Sequence, residues 1–152
     1  MEESSIRVRA CLAVIDDGKI LLVPHFDTDR GPVQWNIPGG MVNFEESIQQ
    51  AAVREILEET GLQAKVDRLL DVSEVLLPER PWHSVTITFL CQIIDGKLQA
   101  EQGHPYGQKL PRWFTVEELE GLSYHPKDTV DKAFLDYSSD KYGQKQKKYP
   151  LA

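Results

Sequence analysis

The chain has 152 residues, of which 41% are apolar and 27% are charged. This length and composition suit one compact domain and exclude a low-complexity or disordered chain. The formal net charge is −7, so the surface repels phosphate and we expect no nucleic-acid polymer as a partner. A phosphorylated ligand would need divalent cations to screen this repulsion.

The N-terminal segment and the cysteines argue against export. The first residues include an acidic pair where a secretory signal would be positively charged, and no apolar run approaches about 18 residues. Cys11 and Cys91 each lie in an apolar run without a Cys-x-x-Cys pattern, so we predict buried, reduced thiols. We expect a cytoplasmic protein that does not enter a membrane.

The N-terminal part of the chain predicts a β-hairpin followed by a loop. Residues 6–15 and 20–26 are apolar and rich in β-branched side chains, and residues 16–19 have the composition of a turn. Residues 27–34 contain glycine and proline between charged residues. This segment predicts a loop that continues to the glycine pair at 39–40.

The longest predicted helix covers residues 43–60. Asn43 can cap its first turn, Glu46 follows three residues later as in a capping box, and Gly61 stands at its C-terminal end. These signals predict a helix that starts directly after the glycine-rich loop.

The second half of the chain predicts strands separated by turns. Residues 66–77 would form one or two strands, a proline-rich turn follows at 78–81, and residues 83–94 alternate as a strand does. The remaining predictions are a short strand over 112–115 and helices starting near Val116 and near Lys127 or Asp128. Residues 1–137 would form one domain, and 138–152 a polar, basic tail that frays.

The predicted helix carries glutamates on the side that should face the core. At about 100° per residue, Glu55, Glu58 and Glu59 share an arc of roughly 100°, where the apolar stripe with Ala52 and Ile56 begins. Like charges at this spacing destabilise a helix, and their partial burial costs more. Mg²⁺ or Mn²⁺ would reverse the penalty because these hard cations take carboxylate oxygens as ligands.

Two neighbouring residues fit a metal site on this helix. Arg54 lies four residues before Glu58 and can orient its carboxylate through a bidentate pair, although the helical wheel places Arg54 towards solvent. The carbonyl of Gly40 could complete a metal shell because no side chain obstructs it. The alternative is a glutamate-rich surface helix, stabilised by helix propensity alone.

These residues together resemble the Nudix box. Gly40, five residues, Glu46, seven residues and the run REILEETGL over 54–62 match every fixed position of that motif. The preceding WNIPG at 35–39 is also similar to the family's usual approach. The resemblance implies an α/β fold, an α/β/α sandwich around a mixed β-sheet, in which a loop-helix-loop presents the metal site.

The resemblance also implies an activity and roles for the matching residues. The family hydrolyses a nucleoside diphosphate linked to another moiety, with Mg²⁺ or Mn²⁺ as cofactor. By position, the implied metal ligands are Gly40, Glu55, Glu58 and Glu59, with Arg54 orienting the glutamates and Glu46 bracing the junction between loop and helix.

One departure from the family pattern concerns the catalytic base. Many members place a glutamate in the loop before the Trp-Phe strand, but residues 104–110 contain no carboxylate, and Gln108 stands near the expected position. The candidates for the base are then Glu59, Glu101 and His104.

Residues outside the box are candidates for binding the substrate. Pro78 resembles a marker of the branch that hydrolyses ADP-ribose, or is simply a turn proline. Asp128 could read a purine edge, as in the nucleoside-triphosphate branch, or cap the last helix. The candidates for stacking on a base are Trp35, Trp82, His83 and Tyr124. The candidates for gripping phosphate or a terminal ribose are Arg30, Arg80 and Lys109.

The sequence therefore favours a Mg²⁺-dependent pyrophosphohydrolase for a small nucleotide, with ADP-ribose-like substrates slightly ahead. The alternatives are a pyrophosphohydrolase of nucleoside triphosphates, including oxidised ones, and a non-catalytic module that binds nucleotides. Because family members often form dimers, a homodimer is a further expectation.

Overall fold

The computed structural model describes residues 4–26, 32, 34–101 and 109–138. Within these residues no helix is long and apolar enough to cross a membrane. Its elements are β1 Arg7–Ala13, β2 Ile15–Asp16, β3 Lys19–His25, β4 Gln34–Asn36, β5 Gly39–Met41, α1 Ile48–Thr60, β6 Leu62–Leu77, β7 Trp82–Gly96, β8 Arg112–Phe114, β9 Tyr124–His125 and α2 Lys127–Ser138.

The strands form two sheets. The first has the order β5-β1-β7-β6, and the second the order β2-β3-β4-β9 with β8 paired to β3. The pairs β1–β7 and β4–β9 are parallel and the other pairs are antiparallel. Helix α1 packs against β1 and β6, and α2 packs against β6 and β9. The predicted α/β/α sandwich with mixed sheets is confirmed, with the strands divided between two sheets.

The predicted N-terminal hairpin is largely wrong. Only Ile15 and Asp16 pair back onto β3, across the predicted turn. Strand β1 instead lies parallel to β7, with Ala10 opposite Ile87, and antiparallel to β5. Alternation of apolar residues predicts a strand but does not identify its partner, and here β1 becomes a central strand of the other sheet.

The long helix starts later than predicted. Ser47 is its N-cap and accepts a hydrogen bond from the backbone N–H of Gln50 at 3.0 Å, while the Gln50 side chain accepts the Ser47 N–H. Residues 43–46 form a turn, because Glu45 adopts a left-handed φ of 69° that an α-helix cannot contain. The C-terminal end at Gly61 is as predicted, with a φ of 79°.

The second half follows the predicted order with changed lengths. One strand, β6, covers the whole segment predicted as one or two strands, and it pairs with β7 through a turn at 78–81. The helix predicted near Val116 is only a 3₁₀ turn over Glu117–Leu119, whereas α2 starts at Lys127 as expected. Of the predicted tail, only Ser138 is described, as the last residue of α2, and residues 139–152 lie outside the described part.

The apolar side chains form a core on each side of the first sheet. One cluster, which includes Leu12, Ile56 and Phe89, fills the space between this sheet and α1. The other cluster includes Trp35 and Phe114, whose rings meet edge to face with centroids 4.8 Å apart. Both cysteines are free and buried, as predicted.

The close approach of β5 to β1 generates a stability prediction. A Cβ atom at Gly39 would lie 2.7 Å from Cα of Cys11, so Gly39→Ala should force the two strands apart and destabilise the fold by about 1–3 kcal/mol. At Gly40 the Cβ would meet only the mobile carboxylate end of Glu55. Chemical denaturation should therefore show a clear loss for Gly39→Ala and a smaller one for Gly40→Ala, and equal losses would contradict this account.

Candidate active site

Arg54 is the centre of the polar contacts on α1. Its Nε donates to Glu46 at 2.7 Å and its Nη2 to the second Glu46 oxygen at 3.0 Å, which makes a bidentate pair. Its Nη1 donates to Glu55 at 2.9 Å and lies 3.3 Å from Glu58, and its Nη2 also donates to the Met41 carbonyl at 3.1 Å. Arg54 thus joins the loop before the helix to the carboxylates on it.

These contacts correct two details of the sequence prediction. Arg54 does not lie on a solvent face, since only 29% of its side chain is exposed. Its bidentate partner is Glu46 and not Glu58, which is 55% exposed and receives a single guanidinium nitrogen. Glu46 lies in the turn at 43–46 and Arg54 lies in α1, so their ion pair holds the turn against the helix. Glu46 therefore braces the junction of loop and helix.

Glu59 occupies the inner edge of the acidic cluster. Its Oε1 accepts the backbone N–H of Gly39 at 2.8 Å, and the carboxyl is largely buried. The pKa of Glu59 is raised to about 8, chiefly by burial. The hydrogen bond from Gly39 and the charge of Lys109 lower it, and the neighbouring carboxylates of Glu55 and Glu101 raise it, within this net value. Without a cation, Glu59 is therefore mostly protonated at neutral pH.

Glu101 approaches this edge from another part of the chain. It forms an isolated β-bridge with Lys109, and Lys109 Nζ lies 3.6 Å from the Glu101 carboxylate. Both residues influence the pKa of Glu59, which places their charges near it. His104, which is the remaining candidate for the catalytic base, and Gln108, which stands near the position of the family's usual glutamate, lie outside the described residues.

The donor set of this region fits a hard divalent cation. Glu55, Glu58 and Glu59 lie within one turn of α1, and a Cβ at Gly40 would lie 2.5 Å from Oε1 of Glu55, so only glycine leaves room for that carboxylate. Within the described residues, no three Asp, Glu, His or Cys side chains already form a complete metal site. Arg54 holds the carboxylates of Glu55 and Glu58, and a carboxylate bonded in this way still has oxygen lone pairs that it can give to a cation.

A cavity of about 510 Å³ opens next to Glu59, between the two sheets. The volume is that of a typical small-molecule site. Its described lining residues are Arg9, Cys11, Val23, Pro24, His25, Gln34, Asn36, Ile37, Gly39, Glu59, Val75, Trp82, Ser84, Thr86, Lys109, His125 and Pro126.

The wall formed by the first sheet is polar although it is buried. Ser84 and Thr86 of β7 are 2% and 6% exposed, and Arg9 of β1 lies opposite Thr86 in the strand register. Arg9, Asn36 and His125 also line the cavity, although they are not among the residues predicted from the sequence. The available signal is the alternation of hydroxyl and apolar side chains along β7, because a buried face that carries several hydroxyls needs polar partners, and a polar cavity supplies them.

Of the residues predicted to bind the substrate, Trp82 and Lys109 lie among the described lining residues. The guanidinium of Arg7 lies 4.2 Å from the Trp82 ring centroid, and the indole Nε1 donates to Ser84 at 3.1 Å. These contacts fix the orientation of the ring, and its remaining surface borders the cavity.

The other predicted contacts are not brought to this cavity. Trp35 is 8% exposed and packs on Phe114 in the core. Pro78 and Arg80 are exposed in the turn between β6 and β7. Asp128 is exposed near the start of α2 and borders a smaller depression beside the main cavity, and Arg30 lies outside the described residues.

Burial of Glu59 predicts how the metal-free protein responds to pH. The pKa of Glu59 is about 8 in the folded state, and its ordinary value is near 4.5. Between these pH values the Glu59 carboxyl is therefore protonated in the folded state but ionised in the unfolded chain. The stability of the EDTA-treated protein should therefore fall as the pH rises through this window. Glu59→Gln, which mimics the protonated form, should melt at least about 3 °C higher than the natural protein above pH 8 and at the same temperature near pH 4.5.

The control for this prediction is Glu79→Gln, which removes the same charge from an exposed turn. Differential scanning calorimetry in EDTA at several pH values measures the difference. Equal melting temperatures of Glu59→Gln and the natural protein at pH 8.5 would contradict the assigned burial of this carboxyl.

Comparisons with known proteins agree with the geometry. The model of the NUDIX domain matches residues 6–137. The chain is 38% identical over 129 residues to an ADP-ribose pyrophosphatase of Methanocaldococcus jannaschii, covering 84% of this chain and 70% of that protein. It is 30% identical to the phosphatase NudJ of Escherichia coli, covering 93% and 85%.

A solved structure shows the same architecture. The MutT NUDIX hydrolase of Burkholderia pseudomallei superposes with a TM-score of 0.71 at 27% identity, covering 84% of this chain and 98% of that one. The matched region includes the glycine-rich loop, α1 and both sheets. The chain therefore belongs to the Nudix hydrolase family, whose members act on phosphoric anhydride bonds with the help of divalent metal ions.

Proposed function

We propose that the protein is a Mg²⁺-dependent pyrophosphohydrolase that cleaves a nucleoside diphosphate linked to another moiety, with ADP-ribose-like compounds as the favoured substrates. The observation that carries this proposal is the position of Glu59, which belongs to the acidic cluster of α1 and also lines the cavity. A cation held by the cluster would therefore meet a phosphate at the edge of a nucleotide-sized cavity. The 38% identity to an ADP-ribose pyrophosphatase supports the substrate class.

The cation, with Mn²⁺ as an alternative to Mg²⁺, would be held by Glu55, Glu58, Glu59 and the Gly40 carbonyl. When bound, it supplies charge neutralisation for the diphosphate and lowers the pKa of a coordinated water. Arg54 orients two of these carboxylates through its bonds to Glu55 and Glu58.

Glu101 is our proposed catalytic base. Its carboxylate is 33% exposed and can therefore exchange a proton with solvent, and Lys109 Nζ lies 3.6 Å from it. Glu101 would accept the proton of the attacking water at a carboxylate oxygen. Glu59 is less suited to this step because burial keeps it protonated without a cation, and a cation would use its charge as a ligand.

Trp82 is our proposed contact for the nucleoside or sugar at the far end of the cavity. Its ring is already oriented by Arg7 and Ser84, so stacking would cost little side-chain entropy. The cytoplasmic location and the homodimer remain predictions from the sequence.

An activity panel tests the proposed function. ADP-ribose, nucleotide sugars, dinucleoside polyphosphates and ordinary and oxidised nucleoside triphosphates would be incubated with Mg²⁺, with phosphatase-coupled detection and EDTA as control. We expect metal-dependent turnover with a preference for ADP-ribose, and about a 100-fold or greater loss in Glu58→Gln because a ligand charge is removed. Preference for triphosphates would favour the alternative substrate, and no turnover despite thermal stabilisation by nucleotides would favour a binding module.

The pH dependence of turnover tests the base. Glu101→Gln should lower kcat about 100-fold and remove the acidic limb of the pH–rate profile, since a neutral amide cannot accept the proton. His104→Ala should leave that limb in place, and Glu79→Gln serves as a control for loss of charge. An unchanged profile in Glu101→Gln would move the base to the acidic cluster or to the coordinated water.

A further inference from the structure

Arg9 is a cation in the cavity wall to which the described residues offer no partner. It lines the cavity and is half-buried, yet its side chain forms no hydrogen bond or ion pair within the described part of the chain. Arg7, Arg54 and Arg68 all contact a ring or a carboxylate. A guanidinium that is partly removed from water without a partner is costly unless a ligand supplies the counter-charge.

The groups around Arg9 are donors or neutral. Thr86 lies opposite Arg9 in the strand register, and Ser84 lies two residues away on the same buried face of β7. His125 lines the cavity from β9 and is close enough for Arg9 to lower its pKa, although burial is the larger cause. Glu59 is the only carboxylate among the described lining residues. The guanidinium of Arg9 can only donate, so at this position it suits an anion better than the amino edge of a base, which needs acceptors. Asn36, whose buried Oδ1 lacks a hydrogen-bond partner within the described residues, offers an acceptor to another part of the ligand in the same cavity.

The strand register separates Arg9 from the metal edge of the cavity. Cys11 pairs with Gly39, whose N–H binds Glu59, and Arg9 lies two residues before Cys11 on the same face of β1. Two residues along a strand span about 7 Å. An anion at Arg9 is therefore a group additional to the diphosphate at Glu59. The flexible side chain of Arg9 can adjust to the exact position of that anion.

We propose that Arg9, together with the hydroxyls of Ser84 and Thr86, binds a phosphate group of the substrate that lies beyond the cleaved anhydride. This inference rests on the proposed function, because it identifies the substrate class of the same cavity. Of two compounds with the same cleaved linkage, the one with an extra phosphate would bind more tightly, whether that phosphate is an ester on a ribose or a further unit of a polyphosphate chain. Arg9 would contribute equally to the ground state and the transition state, and so to KM rather than kcat.

The kinetic test compares substrates that differ by one phosphate. The pairs are ADP-ribose 2′-phosphate with ADP-ribose, which tests the ester, and ATP with ADP, which tests the chain. In at least one pair we expect Arg9→Gln to raise KM about 10- to 100-fold for the phosphate-rich member alone, with kcat within about threefold. Arg9→Lys should lose less because it keeps the charge. Arg68→Gln, which removes an equal charge from an exposed ion pair, should change neither constant.

The binding test does not depend on turnover. The pKa of His125 is followed by NMR in EDTA, with adenosine 2′-monophosphate and inorganic triphosphate as probes, adenosine as the neutral control and His125→Gln for assignment. An anion that neutralises Arg9 should raise the pKa of His125 in the natural protein and not in Arg9→Gln. In the free protein, Arg9→Gln alone should already raise it, because Arg9 lowers it.

The two tests separate failure of this inference from failure of the proposed function. If no compound is hydrolysed but the phosphate probes shift the His125 pKa through Arg9, the proposed function is wrong and the phosphate site stands as a binding site. If hydrolysis occurs but adenosine shifts His125 as much as the phosphates do, or Arg9→Gln leaves every KM unchanged, the phosphate site is overturned.

Discussion

Arg54 joins the loop before α1 to the helix through bonds of 2.7–3.3 Å to Glu46, Glu55 and Glu58. Without a cation, this guanidinium offsets the repulsion among carboxylates that would otherwise destabilise the helix. It also holds the carbonyl of Met41, so the glycine-rich strand β5 keeps its position over the helix. The geometry of the candidate metal site therefore depends on one cation that the protein itself provides.

Two ionisable side chains line different parts of the cavity. Glu59 at its metal edge is buried and protonated without a cation, whereas Arg9 further along the wall is a cation without a partner in the described residues. A substrate with a metal-bound diphosphate and an additional phosphate would satisfy both. In a chain with a net charge of −7, this local arrangement offsets the repulsion that the whole surface exerts on a phosphorylated ligand.

The residues that carry local chemistry could be predicted from the sequence. The glutamates of α1 repeat at helical spacing, and the loop glycines stand where a carboxylate approaches the backbone within contact distance. The substrate residues could not be predicted in the same way. Trp35 is an aromatic residue of the type that stacks on bases, but it is buried in the core in the same cluster as Phe114 and Val130. Arg9 looks like an ordinary surface arginine of a β-strand.

The acidic helix and the longer strands could be predicted from the sequence, because each depends on spacings within about twenty residues. The segment up to Gly40 that was predicted as a loop instead contains the short strands β4 and β5. The parallel pairing of β1 with β7, which brings Arg9 opposite Thr86, and the position of Trp82 at the cavity are visible only in the folded chain. Alternation along a strand specifies which residues share a face. It does not specify which strand comes to lie beside it, because that choice depends on contacts between residues distant in the chain.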